Sequence, residues 1–175
     1  MECGFNLHDT MIYEKESQPR QRNRYEQHFE YMFVFTKGKP KTFNPIKVPC
    51  KYAGKITTRT CRERCKEELI KSKNIISQEK LKGNIWKYVV GSVTQKDKSV
   101  FKHPATFPEQ LALDHILSWS NENDTVFDPF MGSGTTGKMA VCNNRNFIGM
   151  EIDDEYYMMA EKRINEALND YPPRP

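Results

Sequence analysis

The chain has 175 residues, 37% hydrophobic and 29% charged, with a mean hydropathy of −0.78. That length suits one domain of ordinary size or slightly more, and the aromatics (10 Phe, 8 Tyr, 2 Trp) are too many for a disordered polyelectrolyte. No run approaches the ~18 apolar residues of a membrane span, no basic start precedes an apolar block, and five Cys is an odd number, so membrane helix, secretory leader and disulfide framework are all excluded as expectations. Net charge is +4, but residues 1–36 carry −2, residues 37–102 carry +13 and residues 103–175 carry −7.

Taken in chain order, residues 5–14 read as a strand and residues 16–28, polar and without apolar period, as a loop. Residues 31–36, an aromatic-rich apolar run closed by Lys37 and Gly38, read as a buried strand. Residues 40–56 are rich in Pro and Gly, residues 58–73 suggest a strongly charged helix, and residues 84–90 suggest another strand ended by Gly91. Pro108 and Glu109 suit the first turn of a helix running to Trp119. A strand at 124–128, a glycine-rich turn, a helix to Asn143 and a strand at 147–151 follow. Asp153 or Asp154 then caps a helix with Tyr156, Ala160, Ile164 and Leu168 on one face, stopped by Pro172 and Pro173.

The basic middle block reads as a polyanion-facing segment, nucleic acid being the commonest such partner; the plain alternative is a solvated surface. Its candidate phosphate contacts are Lys39, Lys41, Lys47, Lys51, Lys55, Arg59, Arg62 and Arg64. Phe43, Tyr52, Trp86 and Tyr88, interleaved with these cations, suit base stacking, with Trp86 and Tyr88 equally suited to a core. Cys61 and Cys65 at i, i+4 on the expected helix, near Cys50, lack a C-x-x-C pair or a His partner, so no metal site is expected.

The chemical signal is a strand, Gly132-x-Gly134-x-x-Gly137, a helix, a second strand and Glu151, 23 residues after Asp128. The first glycine permits a sharp turn, the second lets backbone approach a ligand, and the third lets the helix pack closely on the strand. The helix start offers N–H groups to an anion, and an acid at the end of the next strand can accept both hydroxyls of a ribose. Three cofactors compete. A phosphate loop G-x-x-x-x-G-K is satisfied through Lys138, but Met139 stands where Ser or Thr would hold Mg²⁺. A dinucleotide fits the glycines, yet 24 residues after Glu151 leave little room for a nicotinamide half. S-adenosylmethionine would place its carboxylate at the helix start, its ribose at Glu151 and its amino group near Asp128, with Asp128 and Phe130 suited to the sulfonium cation.

Asp128-Pro-Phe-Met-Gly-Ser-Gly-Thr-Thr-Gly137, with His103-Pro-Ala-Thr-Phe-Pro-Glu-Gln-Leu-Ala112 upstream, closely resembles the N4-cytosine/N6-adenine DNA methyltransferases of bacteria and phages. The resemblance is to the circularly permuted subclass with the glycine loop late in the chain. It implies a Rossmann-like α/β fold with a mostly parallel sheet, S-adenosylmethionine as cofactor, duplex DNA as partner and a cytoplasmic setting. It also implies cofactor contacts from His103, Pro104, Ala105, Thr106, Phe107, Asp128, Phe130, Gly132, Ser133, Gly134, Thr135, Thr136 and Glu151. Residues 147–153 resemble the ribose-binding strand, residues 25–37 the family's late strand pair, and the basic block falls where the family places target recognition. The implied division is 1–36 as strands of the methyltransferase sheet, 37–102 as recognition insertion and 103–175 as the cofactor-binding β-α-β-α portion.

One departure stands out. The family's catalytic Asp/Asn/Ser-Pro-Pro-aromatic tetrapeptide is absent; Asn44-Pro-Ile-Lys47 and Tyr171-Pro-Pro-Arg174 fit neither in type nor in place. An exocyclic amino group is a poor nucleophile, and that tetrapeptide accepts its hydrogens and stacks on the flipped base. The expectation is therefore a C-terminal portion of a methyltransferase, inactive alone, lacking the central strand between the glycine-loop strand and the strand at 5–14. A second polypeptide would supply that strand. A silent DNA- or cofactor-binding remnant and a nucleotide-binding module without methyl chemistry are the alternatives.

Overall fold

The computed structural model describes residues 3–15, 22–62, 69–89 and 107–170, with backbone alone for 59–62 and 69–72. These residues form strands β1 (Asn6–Lys15), β2 (Phe29–Thr36), β3 (Lys47–Pro49), β4 (Ile56–Arg62), β5 (Leu69–Ile75), β6 (Glu79–Leu81), β7 (Ile85–Tyr88), β8 (Thr125–Asp128) and β9 (Asn146–Gly149). The helices are α1 (Glu109–Trp119), α2 (Thr135–Cys142) and α3 (Asp154–Asp170). The chain divides into two compact units, one of residues 1–44 with 84–175 and one of residues 45–83.

In the larger unit the strands form two separate sheets, ordered β2-β1-β7 and β8-β9. β1 is antiparallel to β2 and parallel to β7, while β8 and β9 are parallel. The expected neighbour of a missing central strand, the strand at 5–14, is therefore corrected: β1 lies between β2 and, over Ile12–Lys15, β7, and the outer strands of this sheet are β2 and β7. The aromatic run of β2 is likewise not a buried strand. Its period of two puts Met32 and Val34 inward, while Tyr31, Phe33 and Phe35 stand 60%, 53% and 49% exposed in a ladder of ring contacts.

The helix α1 joins the two sheets because both of its sides are usable. Ala112 and Ile116 pack with Met139 and Ala140 of α2, against Val126 and Phe147 of the β8–β9 pair. On the other side Asp114 accepts a 2.6 Å hydrogen bond from the Tyr88 hydroxyl, and the His115 ring lies 4.7 Å from that of Trp86. Trp119 stacks on Phe43 at 4.9 Å. Trp86 and Tyr88 are thus core residues, not stacking platforms. Burial, reinforced by the bond to Asp114, pushes the Tyr88 hydroxyl far above the ordinary phenol range.

In the smaller unit, the described residues of the span 58–73 form strands in place of the expected helix. β4 pairs antiparallel with β5, from Ile56↔Ile75 to Arg62↔Leu69. Ile56, Thr57, Thr58 and Thr60 are β-branched and favour the pleated strand, an advantage that outweighs the charge pattern. Cys61 consequently lies on a strand, and Cys65 is outside the described residues. β3 and β6 form a second antiparallel pair, and the larger unit itself is mixed, its longest pairing, β1 with β2, being antiparallel, so the expected mostly parallel sheet is corrected to a mixed one.

α3 begins as its sequence predicts, with Asp153 Oδ1 accepting the amides of Glu155 and Tyr156 at 3.0 Å. Its buried stripe is Ala160, Arg163 and Ala167. The small residues let α2 and α3 approach closely. A Cβ added at Gly137 would sit 2.5 Å from Ile164 Cδ1 and 2.5 Å from Phe147 Cε1. A mid-helix Gly→Ala change gains about 1 kcal/mol of helix propensity, whereas overpacking a tight core costs ~1–3 kcal/mol. Gly137→Ala is therefore expected to lower stability by up to ~2 kcal/mol, read as a reduced urea midpoint; a raised midpoint contradicts the close approach.

Candidate functional site

The glycine turn leaves the end of β8 and enters α2. Gly132 and Gly134 take left-handed φ of 49° and 77°. Gly134 has two reasons to lack a side chain, since a Cβ there would stand 2.8 Å from Ala160 Cβ and 2.9 Å from Ala160 Cα. As the N-cap of α2 it offers no capping side chain to the first N–H groups of the helix, which have no intrahelical acceptor.

The carboxyl ends of β8 and β9 lie side by side and stay zipped beyond the strands. The Met150 amide donates to the Asp128 carbonyl and the Met131 amide to the Met150 carbonyl, both at 2.9 Å. Two carboxylates stand on this rim. Asp128 Oδ1 accepts the Phe130 amide at 3.0 Å. Glu151 Oε2 accepts the Gly132 amide at 2.8 Å, while Oε1 accepts those of Ile152 and Asp153 at 2.9 and 3.1 Å. Apolar side chains flank the acids in the open, Phe130 at 89%, Met150 at 57% and Ile152 at 99% exposure. The carboxyl edge of a parallel pair is the usual ligand-binding edge of such folds.

Glu151 was expected to face a ribose. In the structure it clamps the glycine turn to the end of β9, a role the sequence did not suggest. The Asp153 amide first, then those of Gly132 and Ile152, hold its carboxyl below the usual range, against desolvation and the adjacent Asp153 charge. Arg163 was also missed. Only 4% exposed, it donates to the Ser133 carbonyl and to Glu109 Oε1 at 3.3 Å, and Lys138 reaches the same oxygen at 2.7 Å. One carboxylate thus ties α1, α2 and α3 under the turn. The available signal was an arginine at i+3 from Ala160 inside a stripe of small residues.

Of the expected cofactor residues, Asp128, Phe130 and Glu151 gather on the rim around Gly132 and Gly134. The Ser133 and Thr135 side chains are buried, at 5% and 3% exposure. Thr136 and Phe107 line an apolar cleft against α1. His103, Pro104, Ala105 and Thr106 lie outside the described residues. Of the expected cations, Lys39 and Lys41 belong to the larger unit. Lys47 lies on β3, and Lys51 and Lys55 flank the half-exposed Tyr52, with Nζ 5.6 and 5.0 Å from its ring centre. Arg59 and Arg62 are on β4, where the backbone alone is described, and Arg64 lies outside the described residues. Residues 45–83 hold eleven Lys and Arg against four acids. Among the described residues no His, Cys, Asp or Glu cluster could hold a metal ion, and no helix is long and apolar enough to cross a membrane.

The pH dependence of the clamp follows from its carboxyl. Because the folded value is depressed, the stabilisation is complete above the ordinary range near ~4.3 and is lost as pH falls through the lower folded value. The Gly132 amide resonance is expected to titrate with a midpoint below that of an ordinary Glu and to lose its titration in Glu151→Gln. A midpoint at or above the ordinary value contradicts the clamp.

The model of the N6/N4 DNA methylase family matches residues 1–162. The orphan methyltransferase M.BamHII of Bacillus amyloliquefaciens is 51% identical over 173 residues, covering 95% of this chain and 65% of its own length. The type II methyltransferase M.MjaI of Methanocaldococcus jannaschii is 36% identical over 135 residues, covering 77% of this chain and 38% of its own. The chain thus spans about two thirds or less of these relatives. Among solved structures, the M1.HpyAVI complex with SAM aligns over 94% of this chain and 65% of its own at TM-score 0.59 and 29% identity. The cytosine-N4-specific PvuII DNA methyltransferase shares the fold at TM-score 0.64 and 17% identity, covering 97% of this chain and 57% of its own. With a glycine turn between parallel strands, an acid at the end of each and a family match across almost its whole length, the chain belongs to the N6/N4 DNA methylase family.

Proposed function

We propose that this chain forms the cofactor-binding and target-recognition portions of an S-adenosylmethionine-dependent DNA methyltransferase acting on adenine N6 or cytosine N4. The observation that carries the reading is the rim of Asp128 and Glu151 at adjacent strand ends, with Phe130, Met150 and Ile152 exposed beside it. Carboxylates suit the hydroxyls and amino group of the cofactor, and the apolar neighbours suit a purine and a sulfonium. When bound, the cofactor supplies a methyl group made electrophilic by the sulfonium.

The residues of this chain hold and orient. Glu151, fixed by three amides, has acceptor capacity left for a ribose hydroxyl. Asp128 is set by the Phe130 amide to face an amino group. The uncapped start of α2 favours the carboxylate of the amino-acid end. The basic unit of residues 45–83, inside the 37–102 segment assigned to recognition, supports duplex contact: Lys47, Lys51 and Lys55 toward phosphates and Tyr52 toward a base or sugar face.

The order of segments, with the glycine loop after the basic block, fits the permuted subclass. The Asp/Asn/Ser-Pro-Pro-aromatic tetrapeptide does not occur in the 175 residues, so the groups that activate the amino nitrogen come from outside this sequence and the chain alone is inactive. The setting is the DNA-containing cytoplasm. Transfer of labelled methyl from S-adenosylmethionine to unmethylated duplex DNA tests the reading. The chain alone is expected to give none, and the chain with the complementary third of M.BamHII is expected to give transfer that Glu151→Ala abolishes. A complemented complex that forms but transfers nothing overturns the reading and favours a silent binding remnant.

A further inference from the structure

The basic unit of residues 45–83 is joined to the larger unit at two points of the chain, and an asparagine stands at each. Within the basic unit the two ends of the segment are bonded together. The Lys82 amide donates to the Ile46 carbonyl at 2.8 Å, and Lys47 pairs with Leu81 in the β3–β6 ladder. On the larger unit, Asn44 marks the exit, biased toward extended backbone by Pro45, and Asn84 marks the return after Gly83.

Asn44 holds the end of α1. The last carbonyls of a helix have no intrahelical donor, and the last turn of α1 carries no basic residue to reach them. The Asn44 backbone amide donates to the Ser118 carbonyl at 2.8 Å, and its Nδ2 lies 3.2 Å from the carbonyls of Leu117 and Ser120 and from Asn121 Oδ1. Asn84 holds β1. Its Nδ2 donates to the Thr10 carbonyl at 2.9 Å, its carbonyl accepts the Ile12 amide at 2.8 Å, and β7 starts at the next residue. β7 then reaches α1 about a turn earlier, through the Tyr88 hydroxyl on Asp114 and the Trp86 ring beside His115. Both asparagines are exposed, so backbone capture and not packing accounts for an amide side chain at each place.

The opposite end of α1 meets the glycine turn. Glu109 accepts Lys138 of α2 and Arg163 of α3, and Arg163 donates to the Ser133 carbonyl between Gly132 and Gly134. One eleven-residue helix thus receives both ends of the inserted segment and supplies the carboxylate that steadies the turn. We infer that Asn44 and Asn84 are positioning residues: they seat the exit and return of the basic unit on α1 and β1, and α1 couples duplex engagement by residues 45–83 to the glycine turn. Resting on the proposed duplex-facing role of the basic unit and cofactor role of the rim, the assignment adds the residues that link the two.

The test titrates the full chain with S-adenosylhomocysteine, with and without a saturating pool of short random-sequence duplexes at fixed salt. It also follows amide exchange at Gly134 and Lys138 on adding the duplexes alone. Duplex is expected to tighten S-adenosylhomocysteine binding by about five-fold or more and to slow exchange at both amides. Asn44→Ala combined with Asn84→Ala is expected to reduce that coupling below ~2-fold, with each affinity measured alone and the urea midpoint near wild type. A purely structural cap would lower the midpoint or both affinities and spare their ratio. Asn44→Asp with Asn84→Asp keeps the side-chain shape and removes the donors; it gives the same loss and decides the matter where the alanine pair fails to fold. No coupling in the wild type, or coupling that survives in a folded variant pair, overturns the assignment while leaving the cofactor reading standing. Exchange slowed by duplex in the wild type alone, in a chain that ignores S-adenosylhomocysteine, supports the link and sinks the cofactor reading instead. A chain that binds no duplex overturns the duplex-facing reading and the assignment with it.

Discussion

The contact on which the site depends is the crossing of the glycine turn over α3 at Ala160. At Gly134 the backbone is left-handed and the neighbouring helix leaves no room for a single methyl group. Both conditions are met by glycine alone. That crossing sets the direction of α2, presents its N-terminus at the end of β8 and places Gly132 within reach of Glu151. The Arg163–Glu109–Lys138 group holds the same region from beneath, a largely buried cation held by a carboxylate and a backbone carbonyl.

From the turn, order spreads through α1. Its two sides serve different partners: a small-residue and aliphatic side on α2 and the β8–β9 pair, and a polar-aromatic side of Asp114, His115 and Trp119 on the β2-β1-β7 sheet. The two sheets share this helix without sharing a hydrogen-bonded ladder. Carboxylate rim and apolar cleft are therefore neighbours built from the same elements, since Thr136 of the first α2 turn lines the cleft that Met32 and Val126 wall.

How far the amino-acid sequence speaks for this architecture varies along its length. From Pro108 onward almost every element is legible, because glycine spacing, caps and a 3.6-residue apolar period agree with one another. Agreement breaks at residues 58–73, where charged residues at helical spacing mask a run of β-branched residues that pairs as a hairpin. The aromatics of β2 suggested burial through composition, yet alternation decides which side of a strand is covered, and one side is bare. At the site, Gly132, Gly134, Asp128 and Glu151 were readable from spacing. The clamp made by Glu151 was not, because it depends on where three amides point. Arg163 was not either, because a charge inside a buried stripe reads as a solvated residue until its partners are seen.

The account is tested most directly by calorimetric titration of the full chain, alone and joined to its complement, with S-adenosylmethionine, S-adenosylhomocysteine, ATP and NAD. It predicts saturable binding of the first two, weakened when Gly134 is replaced by Ala, and none of comparable strength for ATP or NAD. A folded sample that in both states ignores the methyl donor and its demethylated product, or prefers ATP or NAD, contradicts it.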